Sequence, residues 1–128
     1  MKKEFMLLIR NQMDHLKHLS PEQSQQFLKE CMFYIDRLTK EGKLKAAQPL
    51  IKEGIILTGS NKAWKDGPFN ETKEVIVGYY HIIADSIEEA IEIAKGNPEF
   101  AYTETARIEI RPIKMAEQKP GFVYPGKN

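Results

Sequence analysis

An α+β fold of the ferredoxin-like kind, βαββαβ with an antiparallel sheet, follows from three observations on the 128 residues. Apolar runs of strand length lie near residues 4–10, 75–84 and 107–113, and two helical patterns with start and stop signals lie between them. Shorter strand signals fill residues 44–65. Two βαβ halves of this order give four strands with both helices on one sheet face.

Glu4 to Arg10 is apolar on both alternating faces, as a central strand must be. Residues 11–19 are polar and read as a connection with room for a short helical turn. Ser20 caps the first helix, Pro21 suits its first position and Gln23 completes a capping box. Phe27, Cys31, Tyr34, Ile35 and Leu38 form its buried stripe, and Gly42 stops it. Leu44–Ile51 reads as a strand that Pro49 places at an edge or bend. Gly54–Gly59 is a short strand, with Lys62–Lys65 as its hairpin partner. Asp66, Gly67, Pro68, Phe69 and Asn70 carry turn chemistry. Val75–Ala84 is the longest strand, rich in β-branched and aromatic residues. Ser86 and Glu89 form a second capping box, Ile87, Ala90, Ile91 and Ala94 one helical face, and Gly96-Asn97-Pro98 the stop. In the last strand Ile108 and Ile110 face one way, and Arg107, Glu109 and Arg111 the other. The domain covers 1–113, and 114–128 is an extended tail.

Lys+Arg is 19 and Asp+Glu 18, a net charge of +1, which argues against a nucleic-acid coat. Residues 1–64 hold 11 basic and 7 acidic groups (+4), and residues 65–128 hold 8 and 11 (−3). Cys31 is the only cysteine, so no intramolecular disulfide forms, and its apolar neighbours make it a buried hydrophobe rather than a nucleophile. The apolar run at 5–9 is too short for a signal or a membrane span, and the expected compartment is the cytoplasm. No phosphate loop, HExxH or Cys/His metal set occurs, so neither metal nor dedicated cofactor is indicated. In the first and longest strands both faces are largely apolar. Water does not readily tolerate such a face, so two sheets are expected to pack together in a homodimer, against the alternative that the tail or connections cover the sheet.

The densest chemistry spans Asp66 to Glu74, where Asp66, Glu71 and Glu74 flank Lys73. Crowded carboxylates that lose water suit acid–base work; a solvated charged loop is the plainer reading, since charge runs usually mark exposed faces. His81, mid-strand, is a packing residue or, facing a cleft, a proton shuttle. Arg107, Glu109 and Arg111 form an ion-pair ladder, or Arg111 holds a ligand carboxylate or phosphate. Tyr79 and Tyr80 offer a hydroxyl, although one of them is core.

The string Asp66-Gly67-Pro68-Phe69-Asn70-Glu71-Thr72-Lys73-Glu74, with Gly78-Tyr79-Tyr80 after it, resembles the hallmark of DGPF-type proteins of the YCII-related family. Residues 5–9, Gln48-Pro49-Leu50, Ile87-Glu88-Glu89-Ala90 and Ile108–Pro112 extend the resemblance over about residues 4–113. It implies subunits that pair as a dimeric α+β barrel around a cleft. Some relatives occur alongside RNA polymerase sigma factors; others are small-molecule enzymes using a His/Asp pair, including dehydrochlorinase-like chemistry. Their histidine lies near the start of the first helix. Here the segment from Ser20 to Gln26 has none, and His15 and His18 precede it.

Two functions compete. The first is binding or cofactor-free transformation of a small organic molecule in the cleft of a homodimer. Asp66, Glu71 and His81 would be the catalytic residues, and Lys73, Glu74, Tyr80 and Arg111 would hold the substrate. The second is a non-catalytic regulatory or interaction module in which the DGPF loop is structural. Neither nucleic acid nor a membrane is expected as a partner.

Overall fold

The computed structural model describes residues 2–51, 53–60, 63–68 and 74–115. The elements run β1 (Lys3–Gln12), α1 (Pro21–Lys40), β2 (Leu44–Pro49), β3 (Ile55–Ser60), β4 (Ala63–Pro68), β5 (Glu74–Ala84), α2 (Ile87–Lys95), α3 (Glu99–Tyr102) and β6 (Arg107–Pro112). Four strands form the main sheet in the order β2-β5-β1-β6, antiparallel throughout. This is the ferredoxin-like α+β architecture that the sequence predicts, with β1 central.

Alternation along β1 explains the layering. Phe5, Leu7 and Ile9 are buried, while Glu4, Met6, Leu8 and Arg10 on the opposite face are half-buried. Phe5, Leu7 and Ile9 join Tyr80, Ile82 and Ala84 of β5, Tyr34 and Leu38 of α1, and Ala90, Ile93 and Ala94 of α2 in one core. Both helices thus cover the same face. The Tyr34 hydroxyl donates to the Ile93 carbonyl at 2.5 Å and ties α1 to α2. Burial pushes that hydroxyl well above its ordinary pKa, which keeps it a donor.

At the start of α1 the expected capping box forms, whereas at α2 Ser86 caps but the Glu89 side chain accepts from the Asp85 amide at 2.7 Å and does not close the expected box. The Ser20 hydroxyl accepts from the Gln23 amide at 3.1 Å while the Gln23 side chain accepts from the Ser20 amide at 2.8 Å. Ser86 accepts from the Glu89 amide at 3.2 Å. Gly42, at φ 72°, follows α1 in the left-handed region that favours glycine.

Two elements differ from expectation. Asp66, Gly67 and Pro68 do not turn the chain but extend β4, paired with Leu57, Ile56 and Ile55. The cross-strand ladder overrides the turn preference of a Gly-Pro step. At the other end of the hairpin Gly59 has a φ of 155°, and the Trp64 ring packs over it so closely that a Cβ there would lie 2.7 Å from the ring. The second difference is α3. Pro98 stops α2, and Asn97-Pro98-Glu99 also opens a new turn, in which the Asn97 side chain accepts from the Glu99 amide at 2.8 Å. Residues 114–115 have no regular structure, and the rest of the tail, 116–128, lies outside the described residues.

Candidate functional site

Beyond β1 the chain turns through residues 13–19 with backbone bonds His15 N to Gln12 O and Lys17 N to Asp14 O, each 3.0 Å. This turn swings His15 under α3. The ring Nε2 lies 3.0 Å from Glu99 Oε2, with both side chains about nine-tenths buried, and Nδ1 lies 3.0 Å from the Gln12 carbonyl. Each ring nitrogen faces an acceptor. A hydrogen bond at both nitrogens at once requires a proton between Nε2 and Oε2, whichever of the two groups carries it.

Asn11 holds this pair in place. It is fully buried, its Nδ2 donates to Glu99 Oε2 and to Thr103 Oγ1 at 2.9 Å each, and its Oδ1 accepts from Thr105 Oγ1 at 2.6 Å and from the Gln12 amide at 2.8 Å. Both nearby donors to the Glu99 carboxylate, Asn11 and His15, meet Oε2. A carboxylate this buried needs such partners, and no buried side-chain polar atom is left unsatisfied among the described residues.

His15 and Glu99 sit at one end of a cavity of about 330 Å³ between α1 and the β2–β5 side of the sheet. Its walls are mainly apolar: Phe27, Leu28, Cys31, Met32 and Ile35 from α1, Pro49 and Leu50 at the end of β2, and Val77. Gln48, Tyr80 and Asn97 add polar atoms. An apolar slot with a few converging polar groups is the usual form of a small-molecule site. Burial raises the Cys31 thiol to about 11, with Glu99 and Glu30 adding to the shift, so it stays protonated and wall-like near neutrality. Burial likewise raises the Tyr80 hydroxyl, with Cys31, Tyr34 and Glu99 adding to it and Asn97 pulling the other way, so it remains an O–H donor.

The residues singled out from the sequence fall in three places. Tyr80 lines the cavity. His81, Glu74 and Arg111 lie on the sheet face away from the helices. There Met6 pairs with His81 on one side and Arg111 on the other, so the three share a row, while Tyr79 pairs with Leu8 on the same face. Asp66 is exposed on β4. Glu71 and Lys73 lie outside the described residues. The structure therefore does not bring Asp66, His81 and Arg111 to the cavity.

The open face carries two charge clusters. His81 Nε2 lies 2.7 Å from Glu4 Oε1, and Lys45 Nζ lies 3.2 Å from Glu4 Oε2. A chain of ion pairs runs Arg111–Glu109–Arg10–Glu74–Arg107, at 3.1 Å for the first three and 3.5 Å for the last. The ladder reading of Arg107, Glu109 and Arg111 thus extends to Arg10 and Glu74.

Burial of Glu4 opposes its charge, but the bonds from His81 and Lys45 outweigh it and hold the carboxyl below its ordinary 4.5. The unfolded chain therefore takes up the proton first as pH falls. The stabilisation is fully present above about 4.5 and is lost as pH drops through the lower folded value. Urea midpoints followed from neutral to acid pH should show a flatter acid limb for Glu4→Gln than for wild type; parallel limbs would remove Glu4 from the account.

In the sequence His15 precedes the first helix signal, and Pro98 marks the end of the second helix, so neither His15 nor Glu99 stands out as half of a pair. The available signal was Asn97-Pro98-Glu99, a helix-start pattern as much as an end.

The family model for the YCII-related domain matches residues 3–115. The chain belongs to the YCII-related family. The match takes in Asn11, His15, Tyr80 and Glu99, so the cavity and its polar end lie wholly within the YCII domain. The chain is also similar to the uncharacterized protein R00369 of Rhizobium meliloti (strain 1021), 29% identical over 106 residues that cover 80% of this chain and 83% of that protein. Among the described residues of this YCII protein no helix is long and apolar enough to cross a membrane, and no group of three or more His, Cys, Asp or Glu is placed to hold a metal ion.

Proposed function

We propose that this YCII protein binds a small, mostly apolar organic molecule in the α1–sheet cavity and moves a proton on it with the His15–Glu99 pair. The observation that carries this reading is the buried 3.0 Å contact of His15 with Glu99 at the end of an otherwise apolar slot. A proton held between the two groups lets the pair act as acid or base as the ligand requires. Tyr80 supplies an O–H toward the same space, and Leu28, Met32 and Leu50 supply the apolar contact. The resemblance noted above implies a His/Asp pair in some relatives; Glu99 takes the carboxylate part in this reading. No bound cofactor is invoked, because the proton and both groups that exchange it are in the chain.

The same reading keeps the homodimer expected from the sequence, with the open sheet faces packed together. Met6, Leu8, Tyr79 and Ile83 form an apolar band there, and the flanking ion pairs supply a polar rim. It also keeps the cytoplasm as the working compartment, on the ground of a single unpaired cysteine.

A titration with small ring compounds bearing one hydroxyl or carbonyl tests the reading. His15→Ala should weaken the compounds that bind by on the order of tenfold or more, since a bond to a charged group contributes about 1.5–3 kcal/mol. Equal affinity in both proteins would contradict it.

A further inference from the structure

The β3–β4 hairpin leaves the main sheet as an arm. It forms its own two-stranded sheet, and all six residues of β3 are exposed. Pairing puts Ile55, Leu57 and Gly59 on one face with Asp66 and Trp64. Exposures of 71%, 62% and 66% for Ile55, Leu57 and Trp64 mean that this apolar face, apart from the Trp64 ring over Gly59, lies largely open among the described residues. A lone two-stranded hairpin is marginal in water, so an arm of this composition needs a surface to lie on.

The chain carries a matching surface. On α1, Leu28, Met32 and Phe33 are 61%, 63% and 67% exposed, and Lys29 lies among them, three residues before Met32 and four before Phe33. The arm offers three apolar side chains around one carboxylate, Asp66. The ridge offers three around one ammonium, Lys29. Neither charge has an ion-pair partner among the described residues. The two cannot be satisfied at once by a partner of one uniform charge, but a second copy of this chain satisfies both reciprocally.

We propose that the arm of one subunit docks on the α1 ridge of a second copy, with Ile55, Leu57 and Trp64 against Leu28, Met32 and Phe33, and Asp66 paired with Lys29. Leu28 and Met32 also wall the cavity, so the docked arm closes its outer side with residues of the other subunit. That last consequence rests on the reading of the cavity given above; the docking itself does not.

The test uses the full chain with Cys31→Ser as background. Chains carrying Lys29→Cys are mixed with chains carrying Asp66→Cys under mild oxidation, and Trp64, the only tryptophan, reports its surroundings by acrylamide quenching in wild type. Disulfides need Cα atoms within about 7 Å, so the mixed pair should link into a covalent two-chain species on the order of tenfold faster than Lys29→Cys mixed with Lys65→Cys, which lies on the arm's other face. Trp64 should be shielded. Equal linking rates for the two mixtures, or a Trp64 as quenchable as free tryptophan, would overturn the proposal. So would a Lys29→Cys/Asp66→Cys double variant that closes its bridge within one chain. No ligand enters the experiment, so its failure leaves the cavity reading standing.

Discussion

Asn11→Ala should lower the free energy of unfolding by about 3 kcal/mol or more, a large share of the roughly 5–15 kcal/mol of a domain this size. The side chain is fully buried and makes four hydrogen bonds. Truncation to Ala leaves the buried Glu99 carboxylate with one donor fewer and takes one partner from the buried Thr103, which keeps the Glu99 carbonyl at 3.3 Å, while the exposed Thr105 and Gln12 turn to water. Each orphaned buried group costs about 1–3 kcal/mol, and a charged one more. Part of the cost is recovered if water enters beside Glu99, which is why the expectation stays near the lower end of the sum. Thr105→Val, which deletes one bond of the same network, should cost about 1 kcal/mol. Urea unfolding with an unchanged m-value measures both. A loss under about 1 kcal/mol for Asn11→Ala would mean that Asn11 does not anchor the pair.

A second large effect separates the two sheet faces. Ile82→Ala should cost about 2–5 kcal/mol, because Ile82 is fully buried between the sheet and the helices and its loss leaves a cavity. Ile83, the next residue, points to the open face and is only half-buried. Ile83→Ala should leave the unfolding of an isolated subunit within about 1 kcal/mol of wild type, a far smaller change than at Ile82. In the proposed face-to-face homodimer it should instead weaken association, read by mass against concentration. If the two substitutions cost the same and association is untouched, the open face is not a packing surface.

The fold was legible because strong local signals agreed with the global pattern. Alternation in β1 and β5, the Ser20 capping box, the Ser86 cap and the stop at Gly96 each placed an element near its observed bounds. The hairpin was legible as well, but its reach was not. Gly67 and Pro68 favour a turn locally, and only the pairing of Ile55 with Pro68 and Ile56 with Gly67 shows that the ladder runs on through them.

The site was much less legible. Tyr80 was named, and it lines the cavity. His15, however, depends on a turn with no strong signature, and its partner lies 84 residues away on a four-residue helix. Charge density is highest over Asp66–Glu74, where many ionisable groups are close in sequence. The observed pair is made of groups distant in sequence that burial brings together. Such a site shows itself only once Asn11, the polar residue that continues the buried row of Phe5, Leu7 and Ile9 in β1, is seen to be a buried hub.

Methyl NMR during the same ring-compound titration tests most directly whether the cavity is the binding site. Binding in the cavity shifts the methyl groups of Ile9, Leu28, Met32, Ile35 and Leu50, and His15→Ala reduces those shifts at a given concentration. Shifts confined to Met6, Leu8, Ile76 and Ile83 would place the ligand on the open face beside His81 and Arg111, and would contradict the account.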